Sequence, residues 1–303
     1  PHLPVEHLDM VRQIMLQEIQ AIEDEPAQKL SLELRRRYYP SPWGRPSQGD
    51  RQSVESTSID DIRAFFKARY HAGGTILGVA GRFDWERLKE NVGVLLGDWP
   101  PGRDAPIEPN ETARTASHLR YASQQTQIGI AYPSVPYRDD RYFEAWGAVG
   151  VLSGGMSARL FTEVRERRGL CYSIHAACHS LRDMGAVFCQ AATSADRAQE
   201  TLDVTLGELT RLAQGVEQHE IDRLKARIKS ALIMQQESSA ARSSTVARDW
   251  YHLGRVRTLD EVSERVDKLD CCSINAYLAE CPPRDFTILT VGPNSLEMPH
   301  GVS

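Results

Sequence analysis

Leu152-Ser-Gly-Gly-Met-Ser-Ala-Arg-Leu-Phe-Thr-Glu-Val-Arg-Glu-Arg-Arg-Gly-Leu-Cys-Tyr172-Ser173 is the stretch on which the fold turns. The apolar run before it predicts a helix over 141–152, closed by Ser153-Gly154-Gly155. A second helix is predicted over 157–168. Two strands follow, 171–181 and 185–192, close enough to form a hairpin. No Lys-Ser/Thr pair comes after Gly154-Gly155, so the glycines are no phosphate loop and read as a tight helix-to-helix turn. Ser157 has no His/Asp partners that would make it a nucleophile. Cys171 lies in a strand-like run, where a thiol packs as a small hydrophobe. By residue type alone, Arg165 within Arg-Glu-Arg-Arg is a solvated helix arginine and Tyr172 an ordinary strand aromatic.

Beyond this stretch the chain continues with long helices over 196–213 and 217–254, the latter broken near Ser238-Ser239. Shorter helices over 259–269 and 273–279 precede a last strand, 286–291. Upstream, 126–132 alternates as a strand. Pro100-Pro-Gly-Arg-Asp-Ala-Pro-Ile-Glu-Pro109 concentrates proline, glycine and charge and marks a division. Before it, helices are expected from Val5-Glu6 to about residue 23, over 27–39, from Ser58, and over 84–96. Thr75-Ile-Leu-Gly-Val-Ala-Gly81 is expected as a buried strand. Both halves share a plan of paired helices, a capped helix and an apolar strand, ending in Val-Ala-Gly81 or Thr-Val-Gly292, which indicates an internal repeat. Helices and strands mix without strict βα alternation, so the fold class is α+β.

The 303 residues carry a net charge of −5, with 41% hydrophobic and 25% charged side chains. No basic field for nucleic acid exists, and no apolar run reaches the roughly 18 residues of a membrane span. The six cysteines, Cys171, Cys178, Cys189, Cys271, Cys272 and Cys281, form no Cys-x-x-Cys pair and point to a reducing compartment. His2 and His7 flank Glu6 in a near copy of a zinc motif. Five residues apart, they would stand about 140° apart around a helix, and Pro4 interrupts them. They are read as exposed histidines. His175 and His179 share a strand face some 13 Å apart, too far for one zinc ion.

The opening stretch, with its Gly-rich turn, Ser157-Ala-Arg-Leu-Phe161 and Gly169-Leu-Cys-Tyr172, resembles the second-domain signature of the pitrilysin/insulinase zinc metallopeptidases, a family that includes the mitochondrial processing peptidase subunits. Tyr39-Pro-Ser-Pro-Trp-Gly-Arg-Pro46, Ile76-Leu-Gly-Val-Ala-Gly81 and Ile288-Leu-Thr-Val-Gly292 extend the likeness over the whole chain. It implies two homologous domains of mainly antiparallel sheet packed with helices, the first truncated at its N-terminus. Residues 1–105 would be the C-terminal part of the zinc-side domain, 106–118 a linker, and 119–303 the substrate-side domain.

The resemblance also implies chemistry. In the family, zinc is held by the two histidines of His-x-x-Glu-His and by a later Glu, and the opposite domain lends an Arg and a Tyr seven residues apart to the substrate. Arg165 and Tyr172 match that pair. Ile14-Met-Leu-Gln-Glu18-Ile19, followed by Asp24-Glu-Pro26, places Glu18 at the third-ligand position. His-x-x-Glu-His is absent from the chain, so Zn2+ is expected in the intact enzyme or complex and not on this chain alone, which is expected to be inactive by itself. Val11 stands where many active members carry a further Glu, as in non-catalytic partner subunits. The expected role is the substrate-binding part of a zinc endopeptidase acting on peptides or unfolded segments. A partner subunit beside a zinc-bearing homologue, or a scaffold subunit, are the alternatives. A bacterial cytoplasmic location is expected.

Overall fold

The computed structural model describes residues 2–103, 106–108, 110 and 115–298; Pro1 and part of the predicted linker, including 109 and 111–114, lie outside them. Helices α1 (Leu8–Asp24), α2 (Pro26–Tyr38), α3 (Arg51–Ser56), α4 (Ile59–Arg69) and α5 (Trp85–Leu96) come first. Strands β1 (Ala116–Arg120) and β2 (Gln125–Ser134), helix α6 (Tyr142–Ser153), and strands β3 (Ser173–Ser180) and β4 (Gly185–Ser194) follow. Helices α7 (Ala198–Arg211), α8 (Gln218–Gln236), α9 (Ser239–Leu253), α10 (Leu259–Asp267) and α11 (Cys271–Glu280) lead to β5 (Thr287–Gly292). The fold is α+β, as the sequence predicts.

The chain forms two compact units that interleave along it. One comprises Pro1–Ala21, Ser47–Glu108 and Ile233–Arg257; the other Ile22–Pro46, Pro109–Leu232 and Thr258–Ser303. The second unit holds the sheet, in the order β1-β5-β2-β4-β3. Only the β1–β5 pair is parallel. Central strand β2 is buried over seven consecutive residues, because it has a strand on either side and helices on both faces. On one face, Leu30, Leu34, Tyr38 and Tyr39 from α2 and its end meet Ala131, Ala186, Leu289 and Val291. On the other, Ile128, Ile130, Val187, Cys189 and Ile288 pack with α6, α7, α8 and α11. Helix α6 is apolar around most of its circumference and is accordingly buried.

The first unit is built differently. Among the described residues, none of its hydrophobic side chains is buried, and Val11, Phe65, Leu77, Trp85, Val94 and Leu95 stand exposed. Thr75–Ala80, expected as a buried strand, forms no strand, and Leu77 is 60% exposed. The cause is local: no strand among the described residues lies beside it. The internal repeat sharpens the contrast. Ser58 and Asp270 each close a reciprocal capping box, on α4 and α11. Each helix is then followed by Thr-Ile-Leu, at 75–77 and 287–289. The second copy becomes β5, with neighbours on both edges; the first has none among the described residues.

The sequence also anticipated the break near Ser238, whose hydroxyl caps α9 by accepting from the Ala241 N–H. It gave no warning of α3 or β1. Helix α1 begins at Leu8, preceded by a 3-10 turn over Val5–His7 that leaves His2 and His7 exposed.

Amide hydrogen exchange tests this asymmetry. Residues 76–80 should exchange on the order of 10³-fold faster than residues 288–292 of β5, despite their shared Ile-Leu-x-Val pattern. Equal protection would show that the first copy is paired in solution.

Candidate functional site

The predicted second helix after Gly154-Gly155 is wider than expected. Gly155 turns the chain at φ +144°, a single helical turn begins at Arg159, and Phe161–Glu166 continues as a π-helix. Arg167 N–H donates to the Thr162 carbonyl, and Leu170 N–H reaches back to the Val164 carbonyl at 3.0 Å. The run therefore ends in a broad loop rather than an α-helical cap. Gly169, at φ +58°, makes the reversal.

Two sets of contacts hold this segment at its ends. At the start, Arg159 donates twice to Glu220 (Nε and Nη2, both 2.7 Å) and once to the Gly215 carbonyl, with side chains only 12% and 11% exposed. Glu220 also accepts from the Glu217 N–H. Burial alone would raise the Glu220 pKa, but the hydrogen bonds and charge of Arg159 outweigh it and the carboxyl is held below its usual range. At the far end, the Leu170 carbonyl accepts from the hydroxyl of buried Thr193 (Oγ1, 2.6 Å), while neighbouring buried Thr201, whose one hydroxyl proton has the Arg197 carbonyl as its shortest acceptor (2.8 Å), lies 3.1 Å from Thr193 Oγ1. Arg197 reaches the Gly169 and Arg168 carbonyls. Tyr172 N–H then joins the Ala192 carbonyl at 3.0 Å, leading the chain into β3.

This architecture brings Arg165 and Tyr172 together. The Arg165 guanidinium carbon lies 5.8 Å from the Tyr172 ring centroid and 4.7 Å from that of Phe161. Tyr172 is 82% exposed. Arg167 and Arg168 both pair with Glu163, whereas the Arg165 side chain makes no hydrogen bond or ion pair with any described residue. Its N–H donors and the Tyr172 hydroxyl are thus uncommitted and adjacent, as a site that receives carbonyl or carboxylate oxygens requires. Cys171, next to Tyr172, is buried, and burial pushes its thiol up despite the opposing pull of Arg165, which disfavours a nucleophilic thiolate.

The remaining candidates do not join them. Glu18 is exposed on α1, in the unit that lacks the sheet. Among the described residues no three His, Cys, Asp or Glu side chains gather as a metal site, so the residues present do not fit a zinc centre. His175 lies exposed on β3, while the His179 ring hydrogen-bonds through Nδ1 to the Tyr39 hydroxyl (2.7 Å) and packs on Phe188. Burial, with Arg35 adding to it, keeps His179 below its usual pKa, a packed neutral imidazole rather than a ligand. Phe161 and the Arg159–Glu220 pair were missed as contributors by sequence reasoning. Their only signal was membership of Arg159-Leu-Phe161 in the motif.

A family model described as peptidase M16 inactive domain matches residues 56–228, more than half of the chain. A protein of Rickettsia bellii named an uncharacterized zinc protease is 25% identical over 290 residues, covering 94% of this chain and 69% of its own length. The crystal structure of a peptidase M16 inactive domain from Pseudomonas fluorescens superposes with a TM-score of 0.87 at 21% identity, over 98% of this chain and 73% of that one. A chain in the structure of Complex III2 from Candida albicans gives 0.80 at 19% identity, over 93% of this chain and 70% of that one. These structural likenesses concern the fold.

The Arg159–Glu220 pair makes a pH-dependent prediction. Because the folded-state pKa of Glu220 is depressed, its contribution is present above the ordinary carboxyl value of 4.5 and is lost as pH falls through the folded value. Glu220→Gln should cost roughly 2–4 kcal/mol near neutral pH and lose less stability than the wild type on acidification. Urea unfolding across the acid range reads both effects.

Proposed function

The chain belongs to the peptidase M16 inactive-domain family, and from that premise we propose that it is the substrate-binding part of a zinc-dependent metalloendopeptidase acting on peptides or unfolded protein segments. The observation that carries this is the Arg165–Tyr172 pair, whose polar groups are adjacent, accessible and uncommitted. A guanidinium and a phenol at one end of strand β3 can donate to successive backbone carbonyls of an extended peptide, a form of recognition that asks little of the substrate's side chains. Their common anchorage holds the donors in place before substrate arrives, so little ordering cost falls on binding.

Two further observations support the proposal. The Rickettsia relative is named a zinc protease, while the described residues of this chain hold no ligand cluster. The metal would then belong to polypeptide beyond those residues, with Glu18 its third ligand if the assembled site follows the family pattern. The sheet-less unit, in which Thr75–Ala80 forms no strand and apolar side chains stand exposed, is where such polypeptide would be covered and paired. Whether it is supplied by the same polypeptide or by a zinc-bearing homologous subunit, the work assigned to Arg165 and Tyr172 is the same.

The test is made on the assembled, zinc-loaded peptidase. Arg165→Ala and Tyr172→Phe should each lower cleavage of an unstructured reporter peptide by about 10–100-fold while zinc content is unchanged. Full activity in both variants would rule the proposal out and favour a scaffold role for this fold.

A further inference from the structure

We propose that Phe161 is a positioning residue that holds the Arg165 guanidinium ready for substrate without occupying its donors; this rests on the assignment of Arg165 to the substrate. Of the two rings beside Arg165, that of Phe161 is the nearer, 4.7 Å against 5.8 Å from the guanidinium carbon. The two residues are four apart within the π-helical segment, and the Phe161 ring is half-buried on it. Tyr172, by contrast, is 82% exposed and is a less rigid support.

The choice of an aromatic ring has a physical consequence. An arginine loses much rotamer freedom when it is ordered, and something must offset that loss if it is to be ordered before substrate binds. A carboxylate would do so, as Glu163 does for Arg167 and Arg168, but it would engage the in-plane N–H groups. A ring attracts the cation through its π face and leaves the edge of the guanidinium open. Within this segment the carboxylate partner goes to the two arginines outside the pair, and the ring goes to Arg165. The Arg159–Glu220 pair, two residues before Phe161, fixes the base from which the ring projects.

The experiment compares Phe161→Leu and Phe161→Met, which remove the ring, with Phe161→Tyr and Phe161→Trp, which keep one. Relaxation of the Arg165 side-chain 15Nε signal, assigned with Arg165→Lys, reports its order directly and needs no catalysis. Thermal unfolding confirms that each variant is folded. The Arg165 side chain should be ordered in the wild type, Tyr and Trp forms, and mobile in Leu and Met. Binding of a fluorescein-labelled unstructured peptide should weaken by about 3–10-fold in the last two only. An Arg165 signal equally ordered in the Leu and Met forms would overturn the positioning role. The underlying assignment is read separately: if Arg165→Ala binds the peptide as the wild type does, that assignment fails, while the role of Phe161 in ordering Arg165 still stands or falls on the relaxation data.

Discussion

The site depends on how one turn is closed. Between Val164 and Leu170 the backbone must leave a helix, reverse, and start strand β3 within a few residues. It does so through a long-reaching hydrogen bond from Leu170 N–H to the Val164 carbonyl, a left-handed Gly169, and a Leu170 carbonyl held by the hydroxyl of buried Thr193. A buried carbonyl without that partner would cost about 1–3 kcal/mol, so Thr193 in effect favours this path for the chain. With the turn fixed, Arg165 on one side and Tyr172 on the other are brought to within cation–π distance.

Around that turn, charge is allocated unevenly. Glu163 serves Arg167 and Arg168, Glu220 serves Arg159, and Arg165 is left with aromatic faces. Surface ion pairs of the first kind add little stability, but they commit the Glu163 carboxylate to Arg167 and Arg168 rather than to Arg165. The same division appears on a larger scale. The unit that carries the site has a five-stranded sheet with apolar packing on both faces. The other has helices and, among the described residues, no strand and no buried hydrophobic side chain. A packed sheet and an exposed apolar surface therefore coexist in a single chain.

Much of this was legible in the residues. Period and capping placed nearly every helix, including the break before α9, because Ser238 and Ser58 carry their own hydrogen-bonding signals. The Arg165–Tyr172 pair was legible only through the motif around it, since neither residue type is distinctive alone. Besides the short helix α3, other features escaped. The π-helical widening after Leu160 depends on tertiary anchors, Glu220 and Thr193, that lie far along the chain. Strand β1, with Ser117 and His118 at its centre, takes its structure from pairing with β5 rather than from its own propensity. Thr75–Ala80 shares the Ile-Leu-x-Val pattern of β5, yet composition could not say whether neighbours were present.

The central claim is that this chain contributes substrate-binding groups and not the metal. Zinc analysis of the purified chain, read together with peptide cleavage, tests it most directly. The account predicts zinc far below one equivalent and no cleavage, together with peptide binding that depends on Arg165. One equivalent of tightly held zinc, or chelator-sensitive cleavage by the chain alone, would contradict it.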